Sequence, residues 1–258
     1  MRSFALSSGS SANCFYIESN LGVKVLVDLG LSYSKTEEIL SERGIDIQEI
    51  NAICITHEHS DHIIGLKTFA SRLNCPIYIS KGTFEEASGM SLNEKSDKFK
   101  IIKNHSNFNV EDLKVFVVGK PHDAKEAVSF VFDDTDKKLG VFTDLGHVTN
   151  EIKHVLKTLD VVYFEANYCE EYVGKIKDSF NSIYLNRLMS NVGHLGLHQT
   201  CEALIETANN TQKIILSHIS ENTNSYENTY RKVSEALREV SLFPQLVVSF
   251  QGEPTDWM

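Results

Sequence analysis

Residues 50–56 (INAICIT) run directly into His57-Glu58-His59-Ser60-Asp61-His62. The isoleucine content and length of the first segment mark a buried strand. The second segment sets three imidazoles and a carboxylate within six residues. They lie where strand-end loops of layered α/β proteins hold side chains rigidly over a cleft. His57 and His59 are two residues apart, so extended backbone points both the same way. Asp61 and His62 fall at the start of the helix that follows, turned to another side. One loop can therefore feed two adjacent metal ions. Imidazole and carboxylate suit zinc, iron or manganese, and no thiolate in the loop forces zinc. The bland alternative, a solvated polar loop, needs three histidines in six residues by chance.

Outward from this junction the pattern is strand-rich first and helix-separated later. Residues 14–18 and 23–27 read as strands, 36–43 as a helix and 66–73 as an amphipathic helix. Residues 113–118 and 127–132 read as strands, and a polar turn at 133–138 leads into another at 139–142. Further strands are expected at 161–165, 214–217 and 246–250, with helices at 179–190, 199–209 and 226–240. No linker, low-complexity run or repeat divides the chain, which predicts one domain over 1–258. Sheets with helices packed outside them, an α/β or α+β layered domain, follow from that order.

Composition bounds the rest. The 258 residues are 41% hydrophobic and 23% charged, with 14 Gly and 4 Pro, as in an ordinary globular chain. No stretch approaches the roughly 20 apolar residues of a membrane span. The first residues, MRSFALSSGSSANCFYIES, lack the pattern of a secretory signal. Five cysteines, none in a C-x-x-C pair, give neither a disulfide framework nor a zinc-ribbon spacing. Cys14, Cys54 and Cys201 read as buried small hydrophobes, and a reducing cytoplasm is the expected compartment. Twenty-five Lys and Arg against 35 Asp and Glu leave a formal charge of −10, without the basic footprint of most nucleic-acid binders. Bound metal can reverse that sign locally.

Two ions need more ligands than one loop supplies. His122 and His218 each follow a strand, as His57 does, and Asp144 ends a strand with two oxygens able to bridge two ions. His194 lies at a turn. His105 and His154 read as surface residues, His147 as a supporting or surface residue, and Asp28 as a brace for the His57 loop. Ser7 to Ser11 resemble a nucleophile cluster, but no base is identifiable and Gly9 favours a turn.

H-x-H-x-D-H after a strand, followed by a later His, a strand-ending Asp and a final His, resembles the metallo-β-lactamase superfamily along nearly the whole chain. The resemblance implies an α+β fold, a four-layer αββα sandwich with a binuclear site at one edge. It implies that His57, His59 and His122 hold one metal, that Asp61, His62 and His218 hold the other, and that Asp144 bridges them beside a shared hydroxide. Within the superfamily, Ser7-Ser-Gly-Ser-Ser-Ala-Asn-Cys14, Lys120-Pro-His-Asp-Ala124, Phe142-Thr-Asp-Leu-Gly-His147, Phe164-Glu-Ala-Asn-Tyr168 and Gly193-His-Leu195 are similar to the YycJ/WalJ type. That family is associated with 5′ to 3′ DNA exonuclease activity and repair. Its members usually read Gly-His-Leu-Ser-Asn, whereas Gly196-Leu197-His198 follows here. A similarity to ribonuclease Z implies that Glu165 and His194 form a proton-handling pair. Asp61, His194 and Glu165 are thus the expected catalytic residues.

The expected cofactors are two divalent ions, zinc, manganese or iron, and the expected partner is nucleic acid, DNA before RNA, with no membrane. Such ions lower the pKa of water and neutralise phosphoryl charge. Set against Asp61, Asp144 and one hydroxide, two of them leave the site at about +1. Lys67, Arg72, Lys120, Lys125 and Arg187 are candidates for a basic groove. Thioesters, lactones and small cyclic phosphodiesters are rival substrates on the same scaffold. A di-iron redox protein is a rival of another class, but such proteins carry Glu where this chain has His59.

Overall fold

Chain contacts divide the structure, a computed structural model describing residues 1–90, 92, 96–176 and 181–258, into two units. The first comprises residues 1–119, 124–136 and 251–258, and the second 120–123 and 137–250.

The first unit holds β1 (Arg2–Ser7), β2 (Cys14–Glu18), β3 (Lys24–Val27), α1 (Tyr33–Ser41), β4 (Ala52–Cys54), α2 (Ser60–Ile63) and α3 (Leu66–Arg72). After these come β5 (Ile77–Ser80), α4 (Lys81–Ala87), β6 (Phe99–Ile102), β7 (Asn107–Val110), β8 (Leu113–Gly119) and β9 (Val128–Asp133). Strands β1 to β6 form one sheet in chain order, antiparallel from β1 to β3 and parallel from β3 to β6. Strands β7 to β9 form an antiparallel meander. The inner parallel strand β4 is covered on both faces, so it reads as a continuous apolar run: Ala52, Ile53 and Cys54 are all fully buried. Leu66 and Phe69 of α3 pack with Leu26, Ile53, Ile55 and Ile63 in one core cluster.

Because β3 and β4 are parallel, the loops that leave their carboxyl ends emerge side by side. The backbone then stitches those loops together. Leu29 N donates to His62 O at 2.7 Å, Gly65 N to Leu29 O at 2.9 Å, and Gly30 N to Asn13 O at 2.9 Å. Gly30 has no space for a side chain, since a Cβ there would lie 1.8 Å from Asp61 O and 2.4 Å from Asn13 N.

The second unit holds β10 (Lys138–Phe142), α5 (Asn150–Leu156), β11 (Val161–Glu165), α6 (Glu170–Ile176), α7 (Ser182–Leu188), α8 (Leu197–Thr207), β12 (Lys213–Ser217), α9 (Tyr226–Glu239) and β13 (Gln245–Val248). Its four strands are all parallel, in the order β13-β12-β11-β10. Their carboxyl ends therefore share one edge, where Asp144, Glu165 and His218 sit. Asp144 and His218 turn the chain in the left-handed region, φ 58° and 54°, as Asp28 does at φ 60° in the first unit. That conformation costs an L-residue about 1–2 kcal/mol, and Asp tolerates it better than most.

Some elements depart from expectation. β4 is shorter than residues 50–56, because Ile50 closes a 3₁₀ turn and Thr56 N turns off the ladder to Asp28 Oδ1. Strands β1, β5, β6 and β7 and helices α4 and α6 were not anticipated, whereas α5 carries His154, expected on a helix face. β6 and β7 are half exposed, with few apolar positions to betray them. Within the expected helix at 179–190, α7 covers Ser182–Leu188, and residues 179 and 180 lie outside the described residues.

Gly30→Ala is expected to cost about 2 kcal/mol or more by overpacking, read as a lower urea midpoint. Gly174→Ala, inside α6 with nothing among the described residues within 4 Å of the added methyl, is expected to gain up to about 1 kcal/mol in the same assay.

Candidate metal centre

In the first unit the site grows from Asp28, which is fully buried. Its Oδ1 accepts from Thr56 N at 2.8 Å, and its Oδ2 from Thr56 Oγ1 at 2.7 Å and His62 Nδ1 at 2.7 Å. Thr56 Oγ1 gives its own proton to Asp28, so it accepts from His57 Nδ1, 2.9 Å away. A neutral imidazole carries one donor and one acceptor nitrogen. With both Nδ1 protons committed, His57 and His62 present Nε2 as electron-pair donors. His57 Nε2 and His59 Nδ1 converge to 3.1 Å, a separation that a shared proton or cation stabilises. Glu58 turns the other way, accepting from Lys125 N at 2.6 Å and Thr83 Oγ1 at 3.1 Å. Asp61 Oδ2 lies 3.3 Å from His62 Nε2.

In the second unit Glu165 plays the corresponding part. It is fully buried, and its Oε1 accepts from His194 Nδ1 at 2.7 Å and His218 Nδ1 at 3.0 Å. Its Oε2 accepts from Leu145 N at 2.7 Å and Leu195 N at 3.2 Å. Burial pushes the Glu165 carboxyl up, but the two imidazoles outweigh it and hold the group down at about 2. His122 Nδ1 meets Gly193 O at 3.0 Å. His122, His194 and His218 thus all turn Nε2 away from their anchors. Asp144 Oδ1 lies 3.3 Å from His218 Nδ1 and 3.7 Å from His122 Nε2. Donor atoms of Asp144, Glu165, His194 and His218 all fall within 4.8 Å of one another.

This chemistry fits a divalent cation. Imidazoles with Nδ1 held by a carboxylate, hydroxyl or backbone carbonyl are the arrangement that orients ligands toward metals. The donors are nitrogen and oxygen throughout, as zinc, manganese and iron accept. Burial pushes the Cys14 and Cys54 thiols up, which keeps them protonated and inert.

The other candidates divide. His105 and His154 are exposed, and His147 Nδ1 meets Asn191 O at 2.9 Å. His198 is exposed and faces Glu202 at 3.6 Å. The departure at Gly196 has a steric counterpart, for a Cβ there would lie 2.1 Å from Glu170 Oε1. Lys120 is buried and is no groove residue: its Nζ donates to Thr143 O at 2.8 Å and lies 3.9 Å from Asp144 Oδ2. Arg187 pairs with Asp123, Lys125 lies 3.7 Å from Glu86, and Arg72 stacks over Tyr33, while Lys67 is exposed. Cys201 is only partly buried, its thiol pushed up to about 11 by desolvation. The double role of Glu165 and the part of Asn13, which donates to Asp61, were missed. A polar residue in the quoted Ser7–Cys14 motif was the available signal for Asn13.

Asp28→Ala strands three buried donors, so it is expected to destabilise the metal-free protein by about 3 kcal/mol or more in urea denaturation. Asp28→Asn, which retains one acceptor oxygen, is expected to lose less.

The family model described as "Beta-lactamase superfamily domain" matches residues 24–219. Exodeoxyribonuclease YycJ of Bacillus anthracis is 31% identical over 237 residues, 91% of this chain and 88% of that protein. Exodeoxyribonuclease WalJ of Streptococcus pneumoniae is 31% identical over 240 residues, 92% and 88% of the two chains. Among solved structures, Zn²⁺-bound PqqB of Methylobacterium extorquens superposes with a TM-score of 0.74 at 15% identity, covering 99% of this chain and 100% of that one. The chain belongs to the metallo-β-lactamase superfamily and has its α+β, αββα fold.

Proposed function

We propose that this chain, acting as a single domain of residues 1–258, is a metal-dependent phosphodiester hydrolase that degrades DNA from the 5′ end. The observation that carries the reading is the pair of buried carboxylates, Asp28 and Glu165, whose bonds to Thr56 and to imidazole Nδ1 atoms turn His57, His62 and His218 outward as electron-pair donors. The names of the two relatives supply the substrate class.

In this reading His57, His59 and His122 hold one divalent ion, Asp61, His62 and His218 hold a second, and Asp144 serves both. Zinc, manganese or iron would suit these donors. Bound there, such ions supply a lowered water pKa and neutralise charge on the phosphoryl oxygens. The chain's own groups do the rest. His194 is the one imidazole of its cluster that is substantially exposed, with 18% of its side chain reachable by solvent. In this reading its Nδ1–H is held by Glu165, and the doubly protonated ring passes its Nε2 proton to the leaving oxygen. In this reading Asp61 takes a proton from the attacking water. Among the described residues no helix is long and apolar enough to cross a membrane. Five free cysteines suit the reducing cytoplasm we assign to the protein.

The test is a substrate panel with each metal: 5′-labelled duplex and single-stranded DNA, RNA, a cyclic phosphodiester and a thioester. Manganese-supported release from the 5′ end of DNA, falling with added salt, is expected, since each neutralised phosphate releases counterions. DNA left intact under every metal, with clean turnover of the thioester, overturns the reading. Asp144→Ala is expected to abolish turnover and weaken metal binding. His194→Ala is expected to keep its metal but lose about 10²- to 10⁴-fold in rate; an unchanged rate removes it from proton transfer.

A further inference from the structure

The run Ser7-Ser8-Gly9-Ser10-Ser11-Ala12-Asn13-Cys14 connects β1 to β2 and supplies no metal ligand in the reading above. One of its residues, Asn13, nonetheless gathers several hydrogen bonds. Asn13 is fully buried. Its Oδ1 accepts from Gly9 N at 3.1 Å and Ser8 Oγ at 3.4 Å, and its Nδ2 donates to Gly9 O at 2.9 Å. Those bonds close the loop on itself and use one of the two amide hydrogens. The other hydrogen is delivered outside the loop, to Asp61 Oδ2 at 3.1 Å, with His62 Nε2 also 3.1 Å from the same nitrogen. The backbone of Asn13 grips the same segment. Its N–H donates to Asp61 O at 2.8 Å, and its carbonyl accepts from Gly30 N at 2.9 Å.

The loop is itself anchored. Ser7 Oγ donates to Ala12 O at 2.9 Å and accepts from Gly252 N at 2.9 Å, and Ser11 N donates to Gln251 Oε1 at 3.0 Å. A loop that served only to turn the chain would be satisfied by Gly9 and these bonds. It would not need to send a buried amide hydrogen to a carboxylate 48 residues away.

We propose that Asn13 is a positioning residue for the Asp61–His62 pair. Its Nδ2–H holds Asp61 Oδ2, which lies 3.3 Å from His62 Nε2, so that the Asp61 carboxylate and His62 Nε2 form a preset pair of donors for one divalent ion. Without that bond the carboxylate rotates among rotamers, and each binding event must order it anew. The inference rests on the metal-dependent reading above and names the support of one of its two sites.

Metal-free wild type, Asn13→Ala and Ser7→Ala are titrated with zinc against a chromophoric chelator, with circular dichroism and thermal melts alongside. Two zinc ions are expected for wild type. Asn13→Ala is expected to weaken one of them by about 10- to 100-fold, as loss of a group supporting a ligand does, and to leave the other within twofold. Ser7→Ala loosens the loop but keeps the amide, so it is expected to lower the melting temperature without moving either affinity. Equal zinc affinities in Asn13→Ala and wild type overturn the proposal, as does an equal loss in Ser7→Ala, which would reduce Asn13 to loop scaffolding. Should Asn13→Ala fail to fold, ¹⁵N-labelled wild type decides. The Asn13 side-chain amide signals are expected to shift in step with zinc occupancy, and unmoved signals overturn the proposal. A wild type that takes up no zinc, manganese or iron fails the metal-dependent reading itself, a result distinct from any difference between variants.

Discussion

Asp28 and Glu165 are two carboxylates with no exposed surface, each at or just past the carboxyl end of a parallel strand. A buried charge is tolerated only where donors surround it. Thr56 and His62 satisfy the first, and Leu145 N, Leu195 N, His194 and His218 satisfy the second. The same bonds that make the burial affordable decide the tautomer of each imidazole. In a neutral ring whose Nδ1 proton goes to a carboxylate, Nε2 offers its electron pair. The chemistry of the site is therefore set by the demand of two anions for donors.

Strand direction makes this arrangement reachable. Parallel strands release their chains at one edge, so loops distant in sequence emerge beside each other. The turn must then be tight enough to keep the side chain at the edge. Asp28, Asp144 and His218 achieve this in left-handed backbone, and Gly30 and Gly193 by close approach. The Gly193 carbonyl that orients His122 belongs to a residue where a Cβ would lie 2.2 Å from Arg187 O. Local strain at these few positions is offset by the hydrogen bonds that converge on them.

An overall charge of −10 leaves any polyanion to be attracted locally. Two of the candidate groove cations face acidic partners, Arg187 with Asp123 and Lys125 beside Glu86. Lys120 is withdrawn from solvent altogether and set near Asp144, where it offsets a buried anion. In the proposed reading, bound divalent cations would supply positive potential for such a polyanion.

The histidine cluster at 57–62 was legible because three imidazoles in six residues are a chemical density that local chance rarely produces, and because an apolar strand leads into it. The strand at Val161–Glu165 was legible to its last residue for the same local reason, an unbroken apolar run that stops at a charge. The edge strands β6 and β7 were not, since half-exposed strands need few apolar positions. Nor could the sequence tell that Lys120 points inward, that Glu165 holds His218, 53 residues away, as well as the expected His194, or that Asn13 reaches Asp61 across 48. Composition and period are properties of neighbours along the chain, and they determined the ligand types and the strands that carry them. Which donor meets which acceptor depends on strand register and on the closeness of backbones at a sheet edge, and those were decided only when the parallel strands came together.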